Sequence, residues 1–209
     1  MNGFQQSKEK WANVNDILKH LIPEKHLISK EHLRKVFIDN AIRDNDLNNA
    51  TVIDFGIGGG HLGVLLFEKY GIKKYTGYDI DEKSIKTSKE NLKQYNADFI
   101  NIDEGYKIKK AKYFFSLACI QHFIDQEMLD NFLDVLNVSK CDNVILQIRH
   151  SDKTVFGNSY ETQDDIIYSC RTNSGYISDK LTNYELIYQS PIQTKTKYVY
   201  IQYKKVING

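Results

Sequence analysis

Thr51-Val-Ile-Asp-Phe-Gly-Ile-Gly-Gly-Gly-His-Leu-Gly63 is the stretch on which the fold turns. It opens apolar and β-branched, as a buried parallel strand does. It then breaks into Gly56, Gly58, Gly59 and Gly60, and resumes as a helix from about Leu62 to Tyr70. Strand, glycine turn and helix together form a nucleoside-binding corner. Glycine lets the backbone approach a ligand closely, and the helix start turns unpaired N–H groups toward it.

Two ligands suit such a corner. Gly58-x-Gly60-x-x-Gly63 has the letters of the dinucleotide fingerprint. Asp54, two residues before the first glycine, argues the other way. A carboxylate there repels a pyrophosphate and favours a ligand carrying an ammonium and a sulfonium. Val52-Ile-Asp-Phe-Gly-Ile-Gly-Gly-Gly60 resembles the first motif of the class I S-adenosylmethionine (SAM)-dependent methyltransferases: an apolar strand, an acid, one residue, then G-x-G-x-G.

The resemblance runs over about residues 50 to 205. It implies an α/β, single-domain Rossmann-like fold with helices on both faces of a seven-stranded sheet. The strand order would be 3-2-1-4-5-7-6, with the last hairpin strand antiparallel. Lys74-Tyr-Thr-Gly-Tyr78 reads as the second strand and ends in Asp79-Ile-Asp81. Asp79 lies 19 residues after Gly60, near the spacing at which an acid meets ribose hydroxyls, while Asp81 suits a helix cap. Asp98-Phe-Ile-Asn-Ile102 is a third strand, and Asp103 follows it. In this family an acid at that place meets the adenine amino group. The resemblance therefore implies a cofactor set of Asp54, Gly56, Ile57, Gly58, Gly60, Asp79, Ile80, Asp103 and Leu117, holding SAM and releasing S-adenosylhomocysteine.

Further along, Lys112–Leu117 is a fourth strand, followed by Ala118-Cys-Ile-Gln-His-Phe123 and a helix over about 126–138. Asp142–Ile148 is a fifth strand, ending in Gln147-Ile-Arg-His150. Tyr184–Ser190 and Tyr198–Tyr203 alternate as a terminal β-hairpin joined by a turn containing Pro191. Such a hairpin ends the sheet in the methyltransferase family. No second domain is visible to serve a nicotinamide-linked oxidoreductase. Residues 151–183 do not read as regular structure, and a loop of that length is expected to build an acceptor pocket. Residues 1–50 form a helical extension or lid. Trp11, Val14, Ile17, Leu18 and Leu21 stripe its first helix, Pro23 ends it, and Ser29 caps a second with Leu33 to Ile42 inside.

Composition sets outer bounds. The 209 residues suit one sizeable core. With 28 Lys plus Arg against 27 Asp plus Glu, the chain lacks the basic excess of a dedicated nucleic-acid binder. Apolar runs are too short for a membrane span, and the N-terminus has no signal core. Cys119, Cys141 and Cys170 have no CxxC spacing and read as reduced thiols of a cytoplasmic protein.

For the chemistry, His122 and His150 are the catalytic candidates, because imidazole titrates near working pH and both follow strand ends. A structural role for His122, bonded to the loop backbone, stands equally open. Arg149, His150 and Arg171 form an alternative set for an anionic acceptor. His61 reads as local to its helix start. Gln163-Asp-Asp165 is a polar acidic pair on which no metal site is placed. "SLACIQHF" resembles the post-strand motif of small-molecule methyltransferases, and the Asn/Asp-Pro-Pro-Tyr/Phe signature of amino methyltransferases is absent. The expected acceptor is a hydroxyl of a sugar or surface-polysaccharide precursor, with no nucleic-acid or membrane partner. An amine, carboxylate or phosphate acceptor, or a nucleotide-binding module without chemistry, are the other readings.

Overall fold

The computed structural model describes residues 3–13, 47–103, 105–159, 168–192 and 197–206. The expected second N-terminal helix, the stripe positions from Val14 to Leu21, Pro23, Tyr160 and Gln163-Asp-Asp165 lie outside these residues. Two compact units are present. One is Lys8–Tyr106 with Ala111–Phe115; the other is Ser116–Gly209 with Met1–Ser7 and Lys107–Lys110.

A short helix, α1 (Gly3–Asn13), opens the chain and carries Trp11 half-buried. The first unit then alternates β1 (Thr51–Phe55), α2 (His61–Tyr70), β2 (Lys74–Asp79), α3 (Glu82–Asn91), β3 (Ala97–Asn101) and β4 (Ala111–Ser116). β1 pairs in parallel with β2, from Thr51↔Lys74 to Phe55↔Tyr78, and with β4 at Val52↔Tyr113 to Asp54↔Phe115. β3 pairs in parallel with the far side of β2. Val52, Ile53, Phe55, Tyr75, Tyr78, Phe114 and Phe115 are all buried, which is why these strands read as continuous apolar runs. The helices begin and end where their sequences direct. Gly60 precedes α2 at φ 75°, and Gly71 closes it at φ 62° with its N–H on the C=O of Leu66. Asp81 caps α3, accepting from the Ser84 N–H at 2.8 Å.

The second unit starts with a 3-10 turn, Ile120–His122, and continues through α4 (Gln126–Asn137), β5 (Cys141–Arg149), β6 (Val155–Ser159), β7 (Tyr168–Arg171), α5 (Ser174–Lys180), β8 (Tyr184–Gln189) and β9 (Tyr198–Lys205). Asp125 caps α4, accepting from the Met128 N–H at 2.8 Å. Leu129, Phe132, Leu133 and Leu136 then bury one face at helical spacing. Each such side chain contributes about 1.5–3 kcal/mol by leaving water. β9 runs antiparallel to β5 from Asn143↔Lys204 to Arg149↔Tyr198, and β8 pairs antiparallel with β9.

The seven-stranded sheet has the order β3-β2-β1-β4-β5-β9-β8. This is the order expected from sequence, with β8 and β9 as the hairpin strands. Residues 151–183 correct the sequence reading. They contain β6 and β7, paired in a separate two-stranded sheet, and the helix α5. The strands are short and bulged between Phe156 and Ser159, with Gly157 at φ 133°, so no clean alternation marks them. The helix signal was present in Asn173, whose side chain accepts from the Tyr176 N–H at 2.8 Å. Among the described residues, no helix is long and apolar enough to cross a membrane, and the three cysteines are free.

Gly63, inside α2, marks the tightest helix–sheet approach. A Cβ there would lie 2.9 Å from the Tyr75 ring and 3.0 Å from Leu92 Cδ1. Tyr75 is buried and its hydroxyl is tied to Asp54, so the ring has no room to retreat. Alanine adds about 1 kcal/mol of helix propensity, but overpacking costs about 1–3 kcal/mol. Gly63→Ala is expected to destabilise the fold by about 1 kcal/mol in urea unfolding. A variant more stable than the parent would show that Tyr75 can move.

Candidate functional site

The glycine corner of the first unit is built by three elements. From β2, the C=O of Tyr78 accepts from Gly56 N–H (2.8 Å) and Ile57 N–H (3.2 Å). Asp79, at the end of β2, accepts from Gly58 N–H at 3.0 Å with Oδ2 and from Asp81 N–H at 2.9 Å with Oδ1. From α3, the Ser88 hydroxyl donates to the C=O of Gly58 (2.8 Å) and the Asn91 amide to the C=O of Gly59 (2.9 Å). Gly56 and Gly58 have φ of 81° and 51°, the left-handed conformations a side chain resists. A Cβ on Gly60 would meet Leu92 and Ser88 at 3.0 and 3.2 Å. Gly60 and Gly63 are thus packing positions against α3 and β2.

Asp54 is buried in β1, and the Tyr75 hydroxyl donates to its Oδ2 at 2.6 Å. Burial pushes the Asp54 carboxyl up to about 7; the Tyr75 hydrogen bond opposes the rise and Asp79 adds to it. Burial likewise lifts Asp79 to about 6, against the backbone N–H groups of Asp81 and Gly58. Ile57 and Ile80 are buried beside the turn. Asp103 is exposed just beyond β3. Asn101 locks that end of the sheet, its amide donating to the C=O groups of Asp79 (3.0 Å) and Ile80 (3.1 Å). His61 lies against Gly59 and is local, as its position suggested.

Sequence reasoning found the acids and glycines but missed Tyr75, Ser88, Asn91 and Asn101. Ser88 and Asn91 carried a readable signal. They are polar residues three apart, near the buried Ile85 and Leu92, with Ser88 itself buried and Asn91 exposed.

The remaining candidates belong to the second unit. Leu117 is half-buried immediately after β4. Ala118 takes φ 53°, a strained conformation for a residue with a side chain, and its N–H is fixed by Gln147 Oε1 at 2.7 Å. His122 is half-buried on the 3-10 turn, its N–H on the C=O of Cys119 at 2.9 Å. His150 follows β5, with Nε2 3.8 Å from Oδ1 of the exposed Asp152. His150 directly follows β5, whereas His122 sits six residues past the end of β4, on the 3-10 turn. Among the described residues no group of acids, histidines or cysteines is arranged for a metal.

A Rossmann-like sheet closed by an antiparallel hairpin, with an acid-flanked glycine corner, defines the class I SAM-dependent methyltransferase fold. The methyltransferase domain family matches residues 46–204, and the chain belongs to it; SAM is that family's cofactor. The chain is 29% identical over 134 residues to ribosomal RNA small subunit methyltransferase A of Mesomycoplasma hyopneumoniae, covering 62% of this chain and 49% of that protein. It thus spans about half the length of that curated relative. Magnesium protoporphyrin IX methyltransferase from Synechocystis PCC 6803, solved with bound SAM, superposes with a TM-score of 0.71 at 13% identity, covering 99% of this chain and 98% of that one. An N-methyltransferase from Bradyrhizobium japonicum WM9, in complex with S-adenosylhomocysteine, gives 0.64 at 9% identity, covering 98% and 99%. At these identities the structural likeness is one of fold.

The raised Asp54 carboxyl makes stability pH-dependent. An acid whose pKa rises on folding, here from 3.8 to about 7, holds its proton more tightly folded than unfolded. Its contribution to stability therefore falls as pH climbs between those values, by on the order of 4 kcal/mol in total. Asp54→Asn keeps an acceptor for Tyr75 and removes the titration. Urea unfolding at about pH 4.5 and about pH 8 is expected to show a clearly smaller decline in the variant, with the residue from Asp79. An unchanged decline would mean that Asp54 ionises freely.

Proposed function

We propose that the protein is a SAM-dependent methyltransferase acting on a hydroxyl of a small polar, sugar-like acceptor. The observation that carries this reading is the Asp79 carboxylate, buried at the end of β2 and bonded once on each oxygen by backbone N–H groups. Each oxygen keeps capacity for a further hydrogen bond, which suits the two hydroxyls of a ribose. Once ionised, the Asp54 carboxyl would repel a pyrophosphate, and a cationic ligand beside it would draw its raised pKa back down. These residues fit SAM better than a dinucleotide.

When bound, SAM supplies a methyl group already activated by its sulfonium. Asp79 would hold the ribose and Asp103, exposed beyond β3, the adenine amino group. Gly56, Gly58 and Gly60 would bring backbone against the cofactor, with Ile57, Ile80 and Leu117 as apolar neighbours. His122 would take the proton from the acceptor hydroxyl on a ring nitrogen, with His150 the second candidate. Positioning would supply most of the acceleration, since little covalent chemistry is left to the protein. The "SLACIQHF" segment and the missing amino-methyltransferase signature support a small-molecule acceptor. A second reading, an RNA acceptor, is favoured by the ribosomal RNA methyltransferase relative. The even balance of 28 basic and 27 acidic residues weighs against it.

Thermal melting with S-adenosylhomocysteine and NAD in parallel tests the cofactor. A ligand at a hundred times its Kd stabilises by about 2.7 kcal/mol, a rise of roughly 5–10 °C for a chain of this size. The rise is expected with S-adenosylhomocysteine only. Asp79→Ala is expected to weaken S-adenosylhomocysteine at least about tenfold and to abolish methyl transfer from labelled SAM. A shift with NAD alone would overturn the reading. Labelled methyl appearing in ribosomal RNA, and in no sugar or sugar nucleotide, would select the second one.

A further inference from the structure

Arg171 ends β7 with its Nε buried and, among the described residues, without a hydrogen-bond acceptor. The residue as a whole is only partly covered. A guanidinium stays charged at any working pH, and its Nε–H together with one Nη–H makes a planar fork that fits the edge of a carboxylate or phosphate. Leaving one prong buried and unmatched is costly, so native chains rarely keep such a group without a use.

The setting of Arg171 suits an anion. β7 is locked to the end of β5: Thr172 N–H donates to the C=O of Arg149 at 2.9 Å, and Ser151 N–H to the C=O of Thr172 at 3.0 Å. This sets Thr172 opposite His150 and Arg171 opposite Arg149, so the two arginines share one side of the strand pair and His150 lies on the other. The 3-10 turn carrying Gln121 and His122 packs against both β7 and β5. Gln121 is 3% exposed, and its Oε1 also lacks a partner among the described residues. An amide oxygen accepts from a hydroxyl or amine. The setting thus offers the Arg171 guanidinium as a donor, with Gln121 Oε1 as a neutral acceptor on the turn packed against β7. Its nearby carboxylate, Asp152, is fully exposed and 3.8 Å from His150.

We infer that this site in the second unit binds an acceptor molecule that carries an oxyanion, a carboxylate or phosphate, beside its hydroxyl, and that Arg171 is the residue that reads the anion. Calling the ligand a methyl acceptor rests on the function proposed above; the anion site itself does not. An acidic or phosphorylated sugar has the required chemistry. The oxyanion serves as a handle and is not the atom that reacts.

The test uses the full chain, with inorganic phosphate and benzoate as probes at constant ionic strength, and S-adenosylhomocysteine alongside. A saturable rise in melting temperature is expected with at least one anion. Arg171→Leu and Arg171→Gln should weaken that response about tenfold or more, while Arg171→Lys keeps a reduced response. All three variants should retain the parent response to S-adenosylhomocysteine, which also shows that they fold. The inference is overturned if neither anion gives a saturable rise in the parent. It is equally overturned if the response survives in whichever of the Leu and Gln variants folds. Loss of the S-adenosylhomocysteine response in the parent would instead defeat the cofactor reading and leave the anion result to stand by itself. Which anion wins separates a phosphorylated acceptor from a carboxylated one.

Discussion

One carboxylate holds the glycine corner in shape. Asp79 reaches from the end of β2 to the N–H of Gly58, and so ties the turn after one strand to the end of its neighbour. Its other oxygen receives Asp81 N–H, which sets the cap for α3. α3 then returns the favour through Ser88 and Asn91, which draw the carbonyls of Gly58 and Gly59 toward the helix. The turn, the strand end and the helix start are therefore fixed by a closed loop of hydrogen bonds. A turn with left-handed glycines would otherwise be the most adaptable part of the chain.

That loop has an electrostatic cost. Two buried carboxyls, Asp54 and Asp79, are raised chiefly by desolvation; the Tyr75 hydroxyl eases this for Asp54, and the N–H groups of Asp81 and Gly58 ease it for Asp79. A site built for stability would place apolar side chains here. Keeping two acids under a glycine turn makes sense where a cationic, hydroxyl-bearing ligand completes the balance. The packing glycines serve the same end: Gly60 and Gly63 let α2 lie close over Tyr75 and Leu92, so the helix start is carried to the corner.

Much of this was legible in the sequence, for physical reasons. Buried parallel strands are largely apolar, so β1 and β4 announced themselves, and Asp54 and Asp79, inside β1 and at the end of β2, stood out against that background. Helix boundaries were written by Asp81, Asp125 and Gly71. The strand order followed from the resemblance and the terminal hairpin. What stayed hidden were partners that depend on register. Tyr75 reads as one more strand aromatic until the parallel pairing sets it opposite Val52, from where its hydroxyl reaches Asp54 on the same face. The β6–β7 hairpin and α5 were missed because a bulged five-residue strand and a seven-residue helix carry too little periodicity. Arg171 was noticed as a cation, but its buried Nε emerges only from the packing around β7.

The sheet ends in β8, which follows β9 to one side and has Leu186 and Ile187 exposed. A terminal strand with apolar side chains is a template on which another chain can grow a ladder. Here the ladder shifts register between Leu186 and Tyr188. The bulge twists the outer row of amide and carbonyl groups out of a straight line, so an incoming strand cannot pair along its whole length. The irregularity in β8, together with the exposed charge of Glu185, thus makes the sheet's terminal strand a poorer template than a straight apolar strand would be.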